Sequence, residues 1–358
     1  MQSVQPLSSE QLQSKVISFL RFPLIVGVVM IHVNMAVPQG ALFPIYHFTK
    51  ELTSSILAAI AVPMFFMFSG FLFFYKLEDF TLGVYKEKIK KRIKSLLVPY
   101  LFWNSMFILY YLAGRMLGLG SQYGVDFTFI DWLRPYWNAN EAHGATGDLP
   151  VSIQFWYIRD LLVIILLSPI VYWLTKKLRY GLTLLLGVLW LTDSWQHHVT
   201  GLSITALTFF SLGAYFSIHK INFVEIVKSH TLLLGIFYAI SVIIVLILKY
   251  SYSVLLNRIG ILLGMAFIIS LAARFLANEK WHVNGLLTES SFFIFAYHML
   301  ALVIIEEVFP LHLSFNTDIM YAVMYVAWVV VTVLVGLFVY YILKKWFPRF
   351  TAFITGGR

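Results

Sequence analysis

Apolar runs of helix-spanning length, each closed by a short polar or basic stretch, recur along the whole chain. The pattern predicts ten helical segments, at about 16–36, 52–75, 96–114, 153–174, 181–195, 201–218, 230–248, 254–275, 289–308 and 319–343. An α-helix needs roughly 17–25 apolar residues to cross a hydrocarbon layer about 30 Å thick. The segment at 181–195 is short for that task and is expected to be tilted or incomplete. The expected fold class is therefore all-α: a polytopic transmembrane helical bundle of about ten spans. A polar tail at 1–15 precedes one membrane domain at 16–345, and a short tail covers 346–358. The one long polar insertion, 115–152, holds Asp126, Asp131, Glu141 and Asp148 and is expected to be a partly ordered loop or surface helix. No short apolar stretch with a small-residue cleavage site heads the chain, so the first apolar segment reads as a retained span.

Charge orients the bundle. The formal net charge of +9 invites a nucleic-acid reading, but the basic residues fall at 76–94, 176–179, 219–228, 274–280 and 344–349. The alternate loops carry Asp126, Asp131, Asp148, Asp193, Glu307 and Asp318. That alternation is the positive-inside pattern. It predicts both termini in the cytoplasm and explains the charge without a nucleic-acid partner. A chain that is 60% hydrophobic and 12% charged, with a mean hydropathy of +0.81, fits the same class. Having no cysteine, it has no disulfide or thiolate chemistry.

Ionisable groups are costly inside a membrane, so those that break the apolar pattern are functional candidates. Arg21 and His32 are eleven residues apart in one apolar run. On a helix they share a face, roughly 16 Å apart along the axis. The topology puts Arg21 in the cytoplasmic half and His32 in the outer half. Trp156, Tyr157, Arg159 and Asp160 of SIQFWYIRDLL also fall in the outer half, and His298 of SSFFIFAYH falls near the middle. Three helices are thus expected to bring ionisable groups to one internal cavity, with Arg21 left toward the cytoplasm. Arg159 and Asp160 could form a structural ion pair, although as sequence neighbours they diverge by about 100° on a helix and do not naturally face one another; partners on other helices are the alternative. Bland readings exist for each: snorkelling for Arg21, packing for His298, an aromatic belt for Trp156 and Tyr157. Histidine is the usual general base toward a hydroxyl. The cluster Lys88, Lys90, Lys91, Arg92 and Lys94 suits phosphate groups. Together they describe a phosphorylated cytosolic donor reaching a base deeper in the membrane.

Arginine, ten residues, then histidine in a first helix resembles the signature of the bacterial acyltransferase-3 family of integral-membrane O-acyltransferases. VPMFFMFSGFLF, with Pro63, Phe65, Phe66, Ser69 and Gly70, resembles that family's second-helix motif. KKRIKSLLVPY resembles its basic approach to the third helix, with Arg92 and Pro99-Tyr100 matching. QFWYIRDLL and SSFFIFAYH resemble its Trp-Tyr and Ser…His motifs. The resemblance implies transfer of an acyl group, most often acetyl from acetyl-CoA, to a hydroxyl of a cell-surface glycan or lipid-linked sugar at the bacterial inner membrane. It implies His32 as base or transient acyl carrier, positioned by Arg159 and Asp160. It also implies Arg21, Arg92, Lys91 and Lys94 as donor-binding groups, and Trp156, Tyr157 and His298 as acceptor contacts. No metal is expected; the expected partners are the donor, the glycan acceptor, membrane lipids and other cell-envelope glycan enzymes. Two departures stand out. Ser95 occupies a place where many members have a second arginine, and no fused extracytoplasmic hydrolase-like domain is expected. The competing readings are a transporter or exporter of a glycan precursor or small metabolite, and a non-enzymatic assembly partner.

Overall fold

The computed structural model describes residues 7–35, 42–116, 129–139, 149–195, 199–248, 254–278, 281–308 and 317–357. Among these residues every regular element is helical. Asp126, Glu141 and Asp148 lie outside them.

Helix α1, Ser9–His32, starts within the segment expected as a tail. The reason is a capping box: the Gln11 amide donates to Ser8 Oγ at 3.2 Å and the Ser8 amide returns a bond to Gln11 Oε1 at 2.9 Å. Helix α2, Pro44–Phe74, is longer than its apolar core because Pro44 fits its first turn. There the Ile45 and Tyr46 amides donate to the Asp318 carboxylate at 2.6 and 2.8 Å. A carboxylate at a helix N-terminus is favourable. Helix α3, Leu82–Gly114, takes the basic run as its first turns, and a π-turn at Ile93–Leu97 links the two parts. Pro99 follows directly and has no amide to return to Ser95, so the wider turn sits where the regular ladder is broken.

The insertion contributes α4, Phe129–Trp137. The expected span at 153–174 is instead α5, Trp156–Leu166, and α6, Ser168–Leu178, at the break of a segment bent by 66°. Pro169 in the first turn of α6 explains the break. Helices α7, Gly181–Leu191, and α8, Ile204–Ile218, have 11 and 15 residues. At 1.5 Å per residue they reach about 16 and 22 Å, short of the roughly 30 Å layer. The chain continues through α9, Phe223–Leu248, α10, Val254–Ala277, α11, Gly285–Val308, α12, Asp318–Trp346, and α13, Pro348–Thr355. Among the described residues seven helices are long and apolar enough to cross a membrane (α1, α2, α3, α9, α10, α11 and α12), or eight if the bent pair is one span.

Helix α8 is short but central: Phe209, Phe210, Ser211, Gly213 and Ala214 are buried. It packs on α2 backbone to backbone. A Cβ built on Gly70 would collide with the Phe210 carbonyl, and one on Gly213 with the Met67 carbonyl. Small residues that let helix backbones meet are a common packing device in membrane bundles. Helix α9, by contrast, turns Leu232, Ile236, Ile240 and Ile247 outward, as a lipid-facing helix does.

The same substitution should act oppositely at two helical glycines. Gly213→Ala should destabilise the bundle by about 1–3 kcal/mol, the range of overpacking, because the obstruction is backbone. Gly187, with nothing within 4 Å of its Cβ position, should tolerate alanine with no loss, since alanine is the better helix former. Thermal melts of both variants in detergent check this; equal melting temperatures would refute it.

Candidate active site

Helices α1, α2, α3, α5 and α11 enclose a cavity of about 530 Å³. Arg21 and His32 reach it from α1, Ser69 and Phe65 from α2, Arg92 and Leu96 from α3. The turn before α5 supplies Gln154, α5 itself Trp156 and Tyr157, and α11 contributes Thr288, Glu289, Ser291 and Phe295. The expected sharing of one face by Arg21 and His32 is realised, and the cavity takes in Arg21 rather than leaving it apart.

One end is cationic. Arg21, Arg92 and Tyr157 share its wall, and the two guanidiniums lie close enough to repel each other. Among the described residues no carboxylate forms an ion pair with either arginine. Glu289 lines the same cavity, but its carboxylate pairs with Lys344 of α12. Tyr157 is held by Ser69, whose Oγ lies 3.0 Å from the phenol oxygen, and by the Phe66 ring with centroids 4.6 Å apart. The close α2–α8 contact next door at Gly70 therefore fixes the residue that supports Tyr157.

The other end holds two histidines. His32 Nδ1 is 2.9 Å from the Val28 carbonyl oxygen, and His298 Nδ1 is 2.8 Å from that of Phe295. A carbonyl only accepts, so both Nδ1 atoms carry hydrogen and donate. His298 Nε2 is then the acceptor that faces His32 Nδ1 at 3.4 Å. In the neutral pair this assigns the tautomer of His32 and leaves its Nε2 lone pair unprotonated, on a ring that lines the cavity. His298 is fully buried and touches His32 rather than the cavity.

Arg159 and Asp160 lie elsewhere. Their expected divergence is overcome by the length of the arginine, which folds back so that Nε and Nη2 donate to Asp160 Oδ1 at 3.1 and 3.0 Å. Arg159 Nη1 donates to the Trp137 carbonyl at 2.7 Å, and the Ser203 amide donates to Asp160 Oδ2 at 3.1 Å. With 5% and 1% of their surfaces exposed, the two tie the end of α4 to the start of α8. Neither lines the cavity. Lys91 and Lys94 are exposed and also outside its wall, whereas Arg92 is half-buried and inside it. Trp156 and Tyr157 are both in the wall.

Gln154 is a site residue that sequence patterning does not single out. Its Nε2 donates to the Ala296 carbonyl at 3.0 Å, and its Oε1 accepts from Ser152 Oγ at 2.9 Å. The Ser152 amide in turn donates to Asn104 Oδ1 at 3.2 Å. A buried amide fixed at both ends joins α3, α5 and the histidine-bearing α11. Only its polarity beside Trp156 marks it in the sequence. Among the described residues no group of three or more His, Asp or Glu side chains is placed to hold a metal ion.

Residues 15–344 match the acyltransferase-3 family model, described as an acyltransferase domain. The succinoglycan biosynthesis protein ExoH of Rhizobium meliloti (strain 1021) is 29% identical over 243 residues, which is 66% of this chain. The match spans 62% of that relative's length, less than two thirds. No solved structure matches the chain. With the family model running from the first helix to the end of α12, and with the arginine and histidine of the first-helix motif in one cavity, the chain belongs to the acyltransferase-3 family.

Proposed function

We propose that the protein is a multi-pass membrane O-acyltransferase that moves an acyl group, acetyl in the first instance, from cytosolic acyl-CoA to a hydroxyl of a cell-surface glycan or lipid-linked sugar. The observation that carries this is the cavity itself, with two carboxylate-free guanidiniums and a histidine whose Nε2 is free to accept a proton. The family supports acyl transfer, and the name of the relative, tied to succinoglycan biosynthesis, supports a glycan acceptor. The ten-crossing arrangement, both termini in the cytoplasm and the bacterial inner membrane belong to the same proposal, on the charge alternation of the loops.

Arg21 and Arg92 hold the donor's phosphates, with the exposed Lys91 and Lys94 raising the local anion concentration outside the cavity. The pantetheine arm then extends along α1 toward His32. The acceptor hydroxyl gives its proton to His32 Nε2 as its oxygen attacks the thioester carbonyl. The carbon–sulfur bond breaks, and the departing thiolate takes that proton to leave as free CoA. His298 keeps the His32 tautomer. Trp156 and Tyr157 form the wall against which donor and acceptor meet. Arg159 and Asp160 contribute by holding the backbones around Trp137 and Ser203, so they position the acceptor side and touch neither reactant.

The bent α5–α6 segment is the feature a transporter reading would build on, because broken helices line many transport sites. Substrate counterflow in liposomes without any CoA would favour that reading over ours.

Acetyl-CoA binding and turnover by the purified protein test the proposal. His32→Ala should fold and bind donor, with turnover lowered roughly 10²–10⁴-fold, the usual share of general acid–base catalysis. Near-normal turnover from that variant would remove His32 from the mechanism. Arg21→Ala should weaken donor binding about 10–100-fold, matching a lost charge-assisted hydrogen bond of roughly 1.5–3 kcal/mol, as read by calorimetry. Arg159→Ala leaves Asp160 buried and unpaired. It should cost about 3–5 kcal/mol of stability while donor affinity per folded molecule stays the same; a melt unchanged from wild type would count against the clamp.

A further inference from the structure

Helix α13 lies beyond the residues that the family model matches, yet it packs against α3 at Ser95, Phe102 and Trp103, on the C-terminal side of Arg92. Pro348 stands in its first turn, where a missing amide costs nothing. Its Thr351, Ile354 and Thr355 are buried, while Phe350 and Phe353 meet the Phe102 ring edge-on at 5.9 and 5.7 Å. Trp103 Nε1 donates to the Ile354 carbonyl at 3.0 Å, a buried bond joining α3 to α13.

The helix ends at Gly356, with φ +73°. That conformation favours glycine, and a second constraint demands it. A Cβ on Gly356 would run into the backbone of Ser95, its carbonyl oxygen first. Ser95 is inside the π-turn Ile93–Leu97. A π-turn adds one residue to the helix and rotates the turns before it by about 100° relative to the turns after it. Arg92 stands immediately before the turn and Leu96 within it, and both line the cavity. Without the extra residue, Arg92 and the buried Tyr100–Trp103 face of α3 would lose their present relation. A π-turn is a less regular hydrogen-bonded form that persists where surrounding structure holds it.

We propose that α13, through Gly356 and the Trp103–Ile354 bond, braces the π-turn at Ile93–Leu97 and thereby aims Arg92 into the donor end of the cavity. Gly356 and Trp103 are positioning residues for the donor; they touch no reactant. This rests on the reading of that end as the acyl-CoA phosphate site.

The test uses the full chain in detergent, with Gly356→Val and Trp103→Phe, and reads two things. Amide hydrogen exchange over 93–98 reports the brace without any ligand. Donor KM and kcat report its consequence. Both variants should exchange faster over 93–98, with the remainder of α3 protected as in wild type. Each should raise the KM for acetyl-CoA about tenfold, with kcat within about twofold. Trp103→Phe keeps an aromatic side chain while removing the indole N–H, so it serves if Gly356→Val does not fold. Unchanged exchange and unchanged KM in a folded variant overturn the brace. A loss confined to kcat overturns it too, because a brace on Arg92 acts on donor binding. Wild-type protein that binds no acyl-CoA overturns the donor reading instead, and that outcome is separable because the exchange result stands without ligand.

Discussion

The structure depends on how an apolar bundle accommodates positive charge. A guanidinium removed from water without a partner is unfavourable by far more than any single packing contact returns. The chain answers this in two ways. Arg159 is neutralised at once by its neighbour Asp160, and the pair reaches beyond itself to the Trp137 carbonyl and the Ser203 amide. Among the described residues Arg21 and Arg92 receive no such carboxylate, and they are set close enough to repel. The fold thus builds a closed ion pair within one helix and leaves two cations in a cavity, the arrangement on which the proposed anion site rests.

The cavity has its shape because of contacts outside it. The glycine contact of α2 on α8 allows the two backbones to touch, which brings Ser69 and Phe66 against Tyr157. Tyr157 in turn shares the cavity wall with both arginines. The break between α5 and α6 ends α5 after Leu166, so α5 presents its first turns, with Trp156 and Tyr157, to the cavity. Ser152, Gln154 and Asn104 then lock those turns to α3 and α11 through buried hydrogen bonds. Polar networks of this kind hold a site rigid when each member is satisfied. The chain from sequence to chemistry thus runs through small residues and amides as much as through the charged groups.

Much of this is legible in the amino-acid sequence by itself. Periodicity alone puts Arg21 and His32 on one face, and the expected depths put the Trp156–Tyr157 pair in the outer half and His298 near the middle. Helical phase also separates Arg92 from Lys91 and Lys94, at about 100° and 200°, although charge clustering obscures it. Other features are hidden for physical reasons. The Arg159–Asp160 bond depends on side-chain reach, which an argument from Cβ directions does not contain. Gln154 sits in a 3₁₀ turn, where neither helical nor strand periodicity applies. Pro99 marks where the ladder beside Arg92 breaks, but the contact of Gly356 with Ser95, between residues some 260 positions apart, is encoded by no local pattern. The capping box at Ser8 and Gln11 is legible in principle, but the polar composition of the first fifteen residues outweighs it.

The two ends of the cavity also decide direction. In the proposed reaction, cationic groups at one end and an imidazole at the other, with Arg21 and His32 both on α1, separate the recognition of a donor's charge from the chemistry on its acyl group. Binding energy from a remote, unreacting part of a substrate is useful when it positions the reacting part. With phosphates held at Arg21 and Arg92, the thioester is presented at His32 only by a molecule with a long uncharged arm between its anionic head and its acyl end. A short acyl phosphate would leave its carbonyl near the arginines, about three helical turns from the base. On the proposed reading the acceptor hydroxyl approaches His32 from the side of the cavity away from the arginines.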